Sequence, residues 1–126
     1  MFVYLNDNPK DVHTGDCVIR AISFLEHQSW RQTMLELTAY SYFMYQIIDD
    51  NDVWEAYLID KGYRRINLPN TCPDCYTLRK FCELHPYGRY IVCTGEHIIA
   101  VIDGDYYDTW DSGDEIVTYY FRKGNI

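Results

Sequence analysis

The hydrophobic period changes near the middle of the chain, and that change limits the folds open to it. Before residue 60 apolar residues recur at helical spacing; after residue 89 they gather into short strand-like runs between turn residues. Val18, Ala21, Ile22 and Leu25 share a helical face behind Asp16, a good N-cap, so a helix should begin almost at Cys17. Ser29 caps a second helix carrying Met34, Leu35 and Leu37 to about Tyr45. A third covers about Asp52 to Asp60 and is stopped by Gly62. Tyr63 to Leu68 reads as a short strand, Pro69 to Tyr76 as a loop, and Thr77 caps a small helix that His85-Pro86 ends. Strand signals follow at Tyr90–Cys93, His97–Asp103, Tyr106–Trp110 and Ile116–Phe121. Gly104-Asp105 reads as a two-residue hairpin turn of the II′ type. Helices followed by a strand meander give an α+β class, N-terminal helices packed on a C-terminal antiparallel β-sheet, in a single domain over 1–126.

Composition narrows the function classes. The 126 residues are 48% hydrophobic and 24% charged, which is globular rather than disordered usage. A net charge of −8 argues against a general nucleic-acid partner, because phosphate neutralisation needs a basic surface. Apolar stretches such as Tyr42 to Ile48 are too short to span a bilayer, so no membrane association is expected. Met1 runs quickly into Asn6-Asp7-Asn8-Pro9-Lys10, with no leader pattern, and the expected location is cytoplasmic. Five cysteines, an odd number, fit reduced thiols better than a disulfide framework. Cys72-Pro73-Asp74-Cys75 has the spacing of half a zinc knuckle. A second ligand pair is missing unless Cys82 and His85 complete it, so the segment is read as a loop with two free thiols and no metal. Cys82 and Cys93 fall within apolar patterns and read as core.

Two positions carry chemistry. A cysteine in the first turn of a helix, as Cys17 should be, faces unpaired amides and the positive end of the helix dipole, which favour a thiolate. His97 opens an apolar strand, where a rigid backbone can hold a base against a nucleophile. His13, near Cys17 in sequence, is the fallback base. Asp108, in Tyr107-Asp108-Thr109-Trp110-Asp111, is placed to accept a hydrogen bond from the imidazole, with Trp110 covering it. A simple turn at Gly104-Asp105 would instead bring Asp111 nearer His97, so Asp108 would need a bulge or a wider turn.

Gly15-Asp16-Cys17-Val18-Ile19-Arg20-Ala21-Ile22-Ser23, His97 to Gly104 and Tyr107 to Asp111 together resemble small bacterial and phage papain-like cysteine peptidases. Asp108-Thr109-Trp110 looks like the Asn-Ser-Trp element of that family, with Asp replacing Asn. The resemblance implies a papain-like (cysteine proteinase) fold over one domain, a Cys17-His97-Asp108 triad, a protein or peptide substrate and no cofactor. It departs where the family has a Gln six residues before the cysteine: Asp11 stands there. Asn8, or else Asn6, is the candidate oxyanion donor.

The same site type performs deamidation and acyl transfer. The reading from a different class is a non-catalytic protein-binding module, for example a phage-encoded protein acting on a host partner through Trp30, Tyr40, Tyr42 and Tyr45. Asp103, Asp105, Asp111, Asp114 and Glu115 crowd the turns beside the site; as a cleft rim they would favour cationic substrates.

Overall fold

The structure, a computed structural model, describes residues 1–10, 16–48, 50–69, 75–95 and 97–124. Along the chain run β1 (Phe2–Tyr4), α1 (Cys17–Leu25), α2 (Trp30–Met44), α3 (Asn51–Asp60), β2 (Tyr63–Asn67), α4 (Leu78–Leu84), β3 (Arg89–Thr94), β4 (His97–Ile102), β5 (Asp105–Asp108) and β6 (Tyr119–Lys123). The class is α+β.

Local chemistry sets the helix ends. Ser29 and Thr77 accept from the amides of Gln32 and Lys80, capping α2 and α4. Tyr45 closes α2 at φ 57° and Gly62 follows α3 at φ 93°. The α1 start is different: the Asp16 side chain makes no cap bond. Its backbone carbonyl still accepts from the Arg20 amide, so the helix begins at Cys17 with the carboxylate free for other partners.

Six strands form one sheet in the order β1-β5-β4-β3-β6-β2. The expected all-antiparallel sheet is corrected to a mixed one, because β1 runs parallel to β5, with Phe2 opposite Tyr106 and Tyr4 opposite Asp108. Three residues are too few to show a period of two, so β1 left no readable pattern. The last strand also moves: Ile116 makes only an isolated bridge to Thr77. The ladder starts at Tyr119 and carries through the charged Arg122 and Lys123, with β6 seated between β3 and β2.

Apolar side chains cover both faces. Ile91, Cys93, Ile98, Ala100 and Phe121 pack beneath α1, α2 and α3. On the other face Val92, Ile99, Val101 and Tyr106 meet Leu78 and Phe81 of α4. A strand buried on both sides reads as an unbroken apolar run, and that is what Ile98 to Ile102 shows. Among the described residues no helix is long and apolar enough to cross a membrane.

The β4–β5 hairpin turns one residue earlier than expected. Ile102 faces Asp105, Val101 faces Tyr106 and Ala100 faces Tyr107, so Asp103 and Gly104 make the turn. Their φ angles of 50° and 81° are both positive, the type I′ geometry that an Asp-Gly pair favours, and not II′.

Candidate active site

That one-residue correction brings the site together. The paired register ends at Ala100 opposite Tyr107, which leaves Asp108 at the end of β5, next to the His97 end of β4. Asp108 leaves the β4 ladder there, with its carboxylate turned to both His97 and Arg20 of α1. His97 Nε2 meets Asp108 Oδ2 at 2.6 Å, and Trp110 stacks on the imidazole with ring centroids 5.4 Å apart.

Asp108 is 3% exposed and held from several sides. Its Oδ1 accepts from the Thr109 amide at 2.8 Å, and its Oδ2 accepts from the Ser112 hydroxyl at 2.7 Å. The Arg20 guanidinium stands 3.7 Å from Oδ1. With Nε2 committed to Asp108, Nδ1 is the imidazole nitrogen left for Cys17, whose sulfur lies within hydrogen-bonding reach.

Burial alone would lower the His97 pKa, but the Asp108 bond and the Cys17 sulfur outweigh it and raise it to about 9. Burial likewise opposes the Cys17 thiolate. The His97 bond, the Ile98 amide and the Arg20 charge together reverse that penalty and bring the thiol below its ordinary value. The two shifts describe one ion pair, thiolate with imidazolium, at the open end of α1.

Arg20 is the main site residue that sequence reading passed over. It is 8% exposed, paired with Asp16 one helical turn earlier, and reaches toward Asp108. Asp16 also accepts from Trp30 Nε1 at 2.8 Å. The i, i+4 spacing of Asp16 and Arg20 was the available signal. Asp7 joins the same cluster; burial pushes its carboxyl up, against the pull of Arg20. Ser112 had no comparable signal.

Other candidates lie elsewhere. Asp111 accepts from the Tyr106 hydroxyl and sits 3.7 Å from Arg79, so it is not the partner of His97. His85 stacks on Phe81, and His27 contacts Arg89. His13 and Cys72 lie outside the described residues. Asn6 Oδ1 accepts from the Asn8 amide, and Asn8 Oδ1 from the Lys10 amide. Neither asparagine borders the two cavities that Cys17 lines. The acidic turns are engaged locally: Asp103 accepts from the Gly88 amide, and Asp114 pairs with Arg79. Trp30 and Tyr40 are partly buried against the core, whereas Tyr42 and Tyr45 are exposed.

The cysteine expectation needs one correction. Cys75 is disulfide-bonded, not a free thiol. Cys17, Cys82 and Cys93 are free, so its partner lies outside the described residues. A cysteine held in a disulfide offers no thiolate to zinc. Among the described residues no group of three or more His, Cys, Asp and Glu side chains is arranged to hold a metal ion.

No known protein family, characterised protein or solved structure matches this chain.

Proposed function

We propose that the chain is a thiol hydrolase of papain-like fold, a cysteine peptidase acting on peptide or isopeptide bonds through Cys17, His97 and Asp108. The observation that carries this reading is the continuous line from the Cys17 sulfur through the imidazole to the buried Asp108 carboxylate, closed at 2.6 Å on the Asp108 side. The first element supplies a nucleophile, the second a proton carrier and the third an orienting anion.

In the reaction the Cys17 thiolate attacks the acyl carbon and forms a C–S bond. The oxyanion is met by the Cys17 amide at the helix end. Imidazolium Nδ1–H gives its proton to the leaving amine as the C–N bond breaks. Neutral His97 then takes a proton from water, hydroxide adds to the thioester, and the acid leaves as the thiolate returns. Asp108 keeps Nε2 protonated and steadies the imidazolium throughout. The substrate is a protein or peptide, and no cofactor is needed. Deamidation and acyl transfer pass through the same thioester.

The binding-module reading rests on one surface: Tyr42 and Phe43, 74% and 76% exposed, at the end of α2. Incubation with p-nitrophenyl acetate separates the two. A hydrolase gives a burst of nitrophenolate, an acetyl group mapped to Cys17 after acid quench, and loss of both in His97→Ala. Acetyl spread evenly over the exposed lysines, unchanged in His97→Ala, supports the module instead.

A further inference from the structure

Beside Cys17 a cavity of about 740 Å³ enters the helical layer between α1, α2 and α3. Its size falls in the range of about 300–1,000 Å³ that holds small-molecule ligands, and one amino-acid side chain would leave much of it empty. Val18, Met34, Leu37, Ile48, Trp54 and Ile98 line it, and Leu37 and Trp54 are fully buried at its floor. Ile47, 69% exposed, stands at the mouth.

Three polar side chains of the lining already have partners. Asp16 is bound by Arg20 and Trp30. The Asn51 side-chain oxygen accepts from Trp54 Nε1 at 3.2 Å. The Tyr119 hydroxyl is engaged with Cys93. A peptide strand entering this space would bury amides with few free partners, at a cost that a hydrocarbon chain escapes. Met34 adds a flexible wall that adapts to a chain rather than to a fixed shape.

We propose that this cavity is an acyl-chain site, so that the bond cleaved at Cys17 joins an aliphatic acyl group of medium or greater length to its leaving group. The proposal rests on Cys17 acting as the nucleophile and moves the scissile carbonyl from the peptide backbone to a fatty-acyl group carried by the substrate. The thiolate attacks the chain's carbonyl carbon, the amine, thiol or alcohol leaves with a proton, and water releases the fatty acid from the thioester.

The test uses the intact chain with p-nitrophenyl acetate, butyrate and octanoate, with the rate in Cys17→Ala subtracted. Each further methylene that enters an apolar site speeds acylation, and octanoate should react at least ~30-fold faster than acetate. Met34→Trp, which fills the space, should cut the octanoate rate by ~10-fold or more and spare the acetate rate, itself the check on folding. Val18→Phe provides a second block at the near end. Equal rates for acetate and octanoate at a Cys17 that still acylates would overturn the acyl-chain site while the hydrolase reading stands. No Cys17-dependent acylation by any ester removes both.

Discussion

Cys17 and Cys93 contribute to the same apolar layer, yet their thiols are opposite chemical objects. Cys93 lies inside β3 with no exposure, and burial drives its pKa far up; the Tyr119 bond and the Arg65 charge do little against it. Cys82, on α4, is likewise pushed up to about 11 by burial. Burial is also the largest influence on Cys17, but there His97, the Ile98 amide and Arg20 outweigh it. A buried thiol is inert by default. It becomes a nucleophile only where the fold sets a cation and an amide against the same sulfur.

The largest way to break this contrast is to remove the cation. His97→Ala should slow thioester formation at Cys17 by about 10²–10⁴-fold, measured as nitrophenolate release, because both the base and the charge partner are lost. Removing Arg20 attacks the frame beneath. Arg20→Met leaves Asp16 and Asp108 buried without their counter-ion, and the expected loss is about 3–5 kcal/mol in a urea melt. A loss below ~1 kcal/mol would mean that the cluster is well solvated.

Asp108 sharpens the contrast one step further from sulfur. Asp108→Ala should lower turnover by about 10–100-fold and Asp108→Asn by much less, since an amide oxygen can still accept from Nε2. Asp111→Ala should leave turnover unchanged, because its carboxylate serves Tyr106 and Arg79. The reverse ranking of Asp108 and Asp111 would transfer the orienting role. The smallest effect belongs to the inert thiols. Cys82→Ala and Cys93→Ala should each cost roughly 1 kcal/mol of stability as small core truncations, with no change in Cys17 acylation.

The elements that position Cys17 were legible because they obey local rules: an apolar stripe running on from Cys17, and Ser29 and Thr77 at N-caps. Helix ends α2 and α3 follow from the same rules. What stayed hidden was non-local. The parallel pairing of β1 depends on β5, more than a hundred residues away in the chain, and three residues carry no period that announces it. The hairpin turn falls one residue earlier than expected, and the register two residues away, because Asp103 and Gly104 both adopt positive φ, a choice the Gly104-Asp105 pair masks. That slip alone pitted Asp111 against Asp108. Arg20 sat in plain view, but its burial is set by Asp108 arriving from the far end of the chain.

The most direct measurement follows the three free thiols of the described residues together through pH. The native protein is pulsed with iodoacetamide from pH 5 to pH 10, and the label on Cys17, Cys82 and Cys93 is quantified by peptide mass. A thiolate paired with an imidazolium stays ionised below the ordinary cysteine pKa of about 8.5. Cys17 should therefore label first, with its midpoint below that value, and Cys82 and Cys93 only after unfolding. Turnover, which also needs the His97 proton, should fall as pH rises through about 9. In His97→Ala the Cys17 midpoint should move upward. A Cys17 midpoint at or above about 8.5, unmoved by His97→Ala, would contradict the ion pair on which the site depends.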